Sequence, residues 1–158
     1  MGIRYYAYAF DHELTEQALV DPRSILSDDP LADAWGLEPG AAVSVATFEQ
    51  TVPARDMLYL DKAWQELQYL TGPHLPGGAR PSYRMFEGRV TMQGYGWIPW
   101  VRALHPDEMP AIARDLWAIE DADAGSDTDS YVVPYLRRAQ AFASGLAAEG
   151  RGAVYMIG

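Results

Sequence analysis

The chain of 158 residues contains no cysteine, so disulfides, thiolate metal sites and a catalytic thiol are excluded, and folding needs no oxidising compartment. Histidine is scarce as well. His12, His74 and His105 lie far apart, and none falls in an H-x-x-x-H or H-E-x-x-H spacing that would set two ring nitrogens on one helix face, so no metal site is expected. No apolar run reaches the ~18 residues of a membrane helix, and Met1-Gly2-Ile3-Arg4-Tyr5 is not followed by the apolar stretch of a signal peptide. A cytoplasmic protein without membrane association is expected. Positive charge is also short: 12 Lys and Arg stand against 22 Asp and Glu, a formal net charge of −10. Phosphate binding is driven by cations that release counterions, so nucleic acid is not an expected partner. The same field draws in a basic protein or a cationic ligand.

What is abundant is aromatic: ten Tyr and five Trp in a chain that is 49% hydrophobic. That is enough for a single domain over residues 1–158 with an aromatic core or groove. Ile3 to Phe10 alternates with the period of a strand. Asp11 is placed to cap a short helix to about Val20, with Leu14, Ala18 and Leu19 turned inward. Asp21-Pro22 and Asp29-Pro30 repeat the pattern of a cap followed by a first-turn proline, and the second of these turns ends with Trp35 before Gly36. Ala41 to Phe48 is apolar without a deciding period, so strand and helix stay open.

The stretch Leu60 to Leu70 has an apolar stripe of Leu60, Ala63, Trp64, Leu67 and Leu70, Asp61 as its cap, and Gly72-Pro73 as its stop. Gly72 to Pro81 reads as a mobile loop. Tyr83 to Met92 reads as a strand, Gln93-Gly94-Tyr95-Gly96 as a turn, and Trp97 to Leu104 as an extended run that Pro99 confines to an edge. His105-Pro106-Asp107-Glu108 opens a helix buried through Met109, Ile112, Ala113, Leu116 and Ile119. Glu120 to Ser130 is an acidic linker. A last helix from about Val133 buries Tyr135, Ala139, Phe142 and Leu146 and stops at Gly150, and Ala153 to Ile157 forms a central apolar strand. Strands at both termini with helices between them give an α+β domain, its sheet mixed or antiparallel, packed by three to five helices.

Signatures of chemistry are wanting. The Asp121 to Asp129 run has alternating carboxylates, but its glycine falls one place early for a calcium loop and Val132 stands where the bidentate Glu belongs. No G-x-S-x-G elbow occurs, and the glycines at 94 and 96 run into Trp97-Ile98-Pro99 instead of a helix start. No catalytic residue and no cofactor is assigned. Tyr95, Trp97 and Trp100, around two glycines and a proline, are able to wall a pocket, anchor an interface or fill the core. With Asp61, Lys62, Trp64 and Arg102 they make a candidate binding patch. Lys62 and Glu66 also stand as an i, i+4 pair, which would account for Lys62 without function.

The Asp61-Lys62-Ala63-Trp64 start, Leu70-Thr71-Gly72, Gly94-Tyr95-Gly96 followed by Pro99, and Pro106-Asp107-Glu108 resemble, in order and spacing, the YfbM-like family of bacterial domains of unknown function. The final amphipathic helix, ending in Glu149-Gly150-Arg151-Gly152 before an apolar strand, extends the resemblance over the whole chain. At positions where that family often carries histidine, this chain has Gln65 and Gln68. The resemblance implies a compact α+β cytoplasmic domain, with no catalytic activity, cofactor or residue roles to transfer.

Two functions follow as expectations. One is a non-enzymatic protein-interaction domain, of immunity or regulatory type, for a basic partner. The other is a small-molecule-binding domain or undescribed enzyme with an aromatic cleft between Asp61 and Tyr95 to Arg102, covered by the Gly72 to Pro81 loop.

Overall fold

The computed structural model of the chain describes residues 2–38, 40–120, 123–124 and 131–158. The chain opens with β1, Tyr5–Phe10, followed by a 3-10 turn and the short helix α1, Thr15–Val20. A second 3-10 turn and α2, Pro30–Trp35, lead through an irregular segment to β2, Met57–Asp61, and α3, Trp64–Thr71. Next come β3, Thr91–Gln93, β4, Gly96–Ile98, and β5, Trp100–Leu104. The chain ends with α4, Met109–Trp117, α5, Val132–Glu149, and β6, Gly152–Ile157.

The main sheet runs β2-β1-β6-β5 and every pairing in it is antiparallel. The fold is therefore α+β with the two terminal strands at its centre, and five α-helices lie among the described residues. β1 has no polar face because both of its sides are covered. Tyr5 and Ala7 pack into the larger core with Leu67 of α3, Ile112 and Leu116 of α4, and Leu136, Ala139 and Phe142 of α5. Tyr6 and Tyr8 face the other way, with Met57, Tyr59 and Ala34 of α2. Phe10 extends that second face to Ala18 of α1 and Val154. Each fully buried large side chain contributes ~1.5–3 kcal/mol of transfer free energy, and the larger core holds most of them.

Several elements follow local rules. His105 Nδ1 accepts from the Asp107 amide while the Glu108 carboxylate accepts from the His105 amide, a reciprocal capping box ahead of α4. Met109, Ile112, Ala113, Leu116 and Ile119 are all buried beneath it. Asp29 caps α2 by accepting from the Ala32 amide. Gly36 and Gly150 end α2 and α5 in the left-handed conformation.

Other elements depart from expectation. Asp61 does not cap α3: it is the last residue of β2, Leu60 belongs to that strand, and Ala63 precedes the helix. The apolar run Met57 to Leu60 is a strand buried on both sides, so it lacks the alternation that would separate it from the helix beyond. Asp11 gives no side-chain cap and pairs with Arg151 instead, and Leu14 and Leu19 are exposed while Ala18 alone of the three is buried. Asp21 makes no side-chain cap. Ala41 to Phe48 is neither strand nor helix but an exposed path with one 3-10 turn at Val43–Val45.

Tyr83 to Met92 is not a strand. Pro81–Met85 is a 3-10 turn, and Gln68 donates to the carbonyls of Phe86 and Gly88, holding that segment irregular up to β3. The Gly72 to Pro81 loop is tied down at its far end, where Arg80 and Ser82 converge on Asp115 of α4. The Asp121 to Asp129 run lies almost wholly outside the described residues. No described helix is long and apolar enough to cross a membrane.

Candidate functional site

Two features stand apart from the packed core. The first is a groove of about 760 Å³ along the outer edge of β2. β2 is an edge strand, so alternate peptide groups on it face away from β1. One wall is α5, where Tyr135, Arg138, Phe142, Gly145 and Glu149 recur at helical spacing; the other is Trp35, Phe48 and the segment from Gln50 to Arg55.

The head of the groove is organised by Asp61. Its Oδ1 accepts from Arg4 Nε at 2.9 Å and from the Tyr59 hydroxyl at 3.1 Å, and its Oδ2 accepts from the Tyr131 hydroxyl at 2.7 Å. Trp35 Nε1 donates to the Tyr59 hydroxyl at 3.0 Å, and the Arg4 guanidinium lies 5.1 Å from the centre of the Trp35 ring. Burial pushes the Tyr59 hydroxyl well above its ordinary range; the Trp35 N–H acts against that shift, and the Asp61 carboxylate adds to it. Burial and the Asp61 hydrogen bond likewise raise Tyr131. Both phenols donate to the Asp61 carboxylate, which accepts from Arg4 as well. Such a network positions groups.

The non-glycine residues with positive φ among those described are Phe48 at 57° and Asp61 at 49°, and both line this groove. An aromatic residue in the left-handed region is an outlier, and such strain persists only where surroundings impose it. At Phe48 the cause is visible. The Phe48 amide donates to the Trp35 carbonyl at 2.8 Å, the two rings lie 5.3 Å apart, and α2 ends so close to this segment that a Cβ on Gly36 would fall 2.0 Å from Thr47 Oγ1.

The second feature is the hairpin of β3 and β4. Gly94 and Tyr95 form its two-residue turn, with positive φ at Gly94 alone, as a type II′ turn requires. Every residue of both strands is exposed, and their main packing is with each other. Met92 is paired with Trp97 across the strands, Ile98 stands 48% exposed, and Tyr95 at the tip is fully exposed. A two-stranded ribbon of this kind gains little from its own burial.

The residues singled out from the sequence are therefore distributed. Asp61 lines the groove. Lys62 is exposed and forms no ion pair with a described residue, so the expected pair with Glu66 is not made. Trp64 is a core residue whose Nε1 donates to the Ile3 carbonyl. Tyr95 and Trp97 sit on the hairpin. Trp100 lies over Gly88, where a Cβ would come within 2.4 Å of its ring, and Arg102 lies 5.1 Å from that ring centre and pairs with Glu87. Across the sheet Asp61, Tyr5, Ile157 and Trp100 fall in one row, so Trp100 is three strands, roughly 14 Å, from Asp61. The groove that Asp61 lines has none of Tyr95, Trp97, Trp100 and Arg102 in its lining. The Gly72 to Pro81 loop contributes nothing to the groove lining.

Sequence reasoning missed the groove walls contributed by Phe48, Arg138 and Gly145. One signal was present: Gly145 interrupts an otherwise good helical pattern, and an isolated helix glycine generally reflects packing or function. Among the described residues no group of three or more His, Asp or Glu is placed to hold a metal ion.

No protein family matches the sequence, and no curated protein does. Among solved structures, YfbM from Escherichia coli, a protein of unknown function, matches 99% of this chain over 100% of its own at 15% identity, with a TM-score of 0.54. The chain has a YfbM-like fold.

Proposed function

We propose that this chain is a non-enzymatic protein-interaction domain, immunity or regulatory in type, that works in the cytoplasm and grips its partner with the β3–β4 hairpin. The observation that carries the reading is the hairpin's apolar surface: Met92, Tyr95, Trp97 and Ile98 stand in solvent on an arm that packs little against the body. Exposed clusters of large apolar side chains mark interaction sites, and Tyr and Trp are the commonest energetic anchors. The net charge of −10 selects a basic partner and makes the encounter sensitive to salt. Lys62 and Arg102 are assigned no contact role, because Arg102 serves the packing of Trp100.

The test is capture from the native host at low and at high salt, with the wild type beside the Tyr95→Ser, Trp97→Ser double variant. A basic protein retained at low salt, released at high salt and lost with the variant supports the reading. The same proteins on both baits, or none, overturn it. A second reading, a small-molecule-binding domain, is favoured by the groove at Asp61, which falls in the size range of ligand pockets.

A further inference from the structure

We propose that the groove along β2 binds a small apolar carboxylate, its carboxylate on the Arg138 guanidinium and its body laid over Phe142 and Gly145 against the aromatic wall. The inference rests on the ligand-binding reading of the groove and names the ligand class.

Charge identifies one end of the ligand. Arg138 lines the groove and lies 5.1 Å over the Tyr135 ring, but it forms no ion pair with any described residue. The other charges of the lining are neutralised within the protein. Arg4 answers Asp61, and Glu149 is held by Arg55 and Arg151. One planar guanidinium whose N–H edge is unpaired among the described residues matches one planar carboxylate through paired N–H bonds. Arg138 is exposed at the groove wall, and a dianion would add a second negative charge, with no cation of the lining left to answer it, to a protein of net charge −10.

Shape identifies the rest. Trp35, Phe48, Tyr59, Tyr135 and Phe142 give the lining its aromatic character. Gly145 lies inside an 18-residue helix, where alanine would be more stable, yet a Cβ there would meet nothing within 4 Å. No described neighbour stands where a methyl would go, and the glycine keeps the space above α5 clear. Phe48 and Asp61, the non-glycine residues with positive φ among those described, frame the same space.

A peptide strand added to β2 fits less well. The Met57 amide already donates to the Pro53 carbonyl, and the Met57 carbonyl already accepts from Gln50. Left-handed Asp61 ends the strand, so Tyr59 alone is left to offer a peptide group at the free edge, which is too little for a ladder.

The experiment is calorimetric titration of the intact protein with indole-3-propionate, 4-phenylbutyrate and decanoate, each beside its neutral amide. At least one acid should bind, and its amide should bind at least tenfold more weakly. Arg138→Met should reduce the acid to the affinity of the amide, Gly145→Trp should abolish both, and Gly145→Ala should fold normally. Equal binding of acid and amide, unaffected by Arg138→Met but lost in Gly145→Trp, would overturn the anionic end and leave the groove as a neutral-ligand site. No binding by any of the probes would overturn the whole inference.

Discussion

The Tyr131 hydroxyl donates to Oδ2 of Asp61 at 2.7 Å and so ties the last residue of β2 to the residue that precedes α5. The bond spans 70 residues of sequence, and the same carboxylate also holds Arg4 and Tyr59. Asp61 is thus a clasp between three segments, in a backbone conformation that Asp and Asn tolerate better than most residues. Asp61→Asn keeps the conformation and part of the bonding and should cost about 1–2 kcal/mol. Asp61→Ala removes the acceptor of part-buried Arg4 and Tyr59, turns the exposed Tyr131 hydroxyl over to water, adds backbone strain, and should cost about 3 kcal/mol. Urea unfolding of the two variants measures this; equal losses would mean that the backbone, and not the carboxylate, matters there.

Gly145→Ala should stabilise the protein by about 0.5–1 kcal/mol, because the residue is helical and an added methyl meets no neighbour within 4 Å. The midpoint of urea unfolding should rise. A fall would mean that the glycine is needed by the fold, and that the clearance it leaves is a by-product.

Asp115 makes stability fall in acid. Burial pushes its carboxyl up, but the hydrogen bonds from Ser82 and Arg80 together outweigh burial and leave it below its ordinary value. A depressed carboxyl stabilises above the unfolded value of roughly 3.9, and that contribution is lost as pH falls through the lower folded value. Asp115→Asn should therefore be less stable than wild type at neutral pH, with the gap closing in acid. The comparison is read from unfolding midpoints across that range; a gap independent of pH would sink it.

Alkali should act through the tyrosines. Burial, first among the causes, raises Tyr5, Tyr6, Tyr8, Tyr59 and Tyr155, and brings Tyr6 and Tyr155 to about 12. The fold favours the neutral phenols, so their stabilisation is complete below roughly pH 10 and is lost as pH rises through the folded values. Ultraviolet titration should show phenolate appearing late in the native protein and near the ordinary value once it is unfolded in guanidinium. One ordinary midpoint for all ten tyrosines in a still-native protein would contradict the packing described.

The sequence was most legible where local chemistry decides. The His105 capping box, the buried stripe of α4, the Gly94-Tyr95 turn and the apolar β6 all lie where their residue types place them. It was least legible where distant groups decide. Asp61 looks like a helix cap because Asp before an apolar stripe usually is one, but partners from both ends of the chain recruit its carboxylate. Tyr83 to Met92 has strand-forming residues, but Gln68 binds its carbonyls and leaves no ladder. The groove was hidden for the same reason: its walls come from residues 34 to 61 and 135 to 149, which the β2-β1-β6 order and the packing of α5 bring together.

The exposed apolar hairpin is proposed as the arm that holds a basic partner. The most direct measurement is the dissociation constant of the captured partner for wild type and for the Tyr95→Ser, Trp97→Ser variant, by calorimetry at low and high ionic strength. If each ring is an interface anchor of ~2 kcal/mol, the double variant should bind at least 100-fold more weakly. Wild-type affinity should also fall as salt rises. Unchanged affinity in the double variant, with the fold intact, would contradict the account.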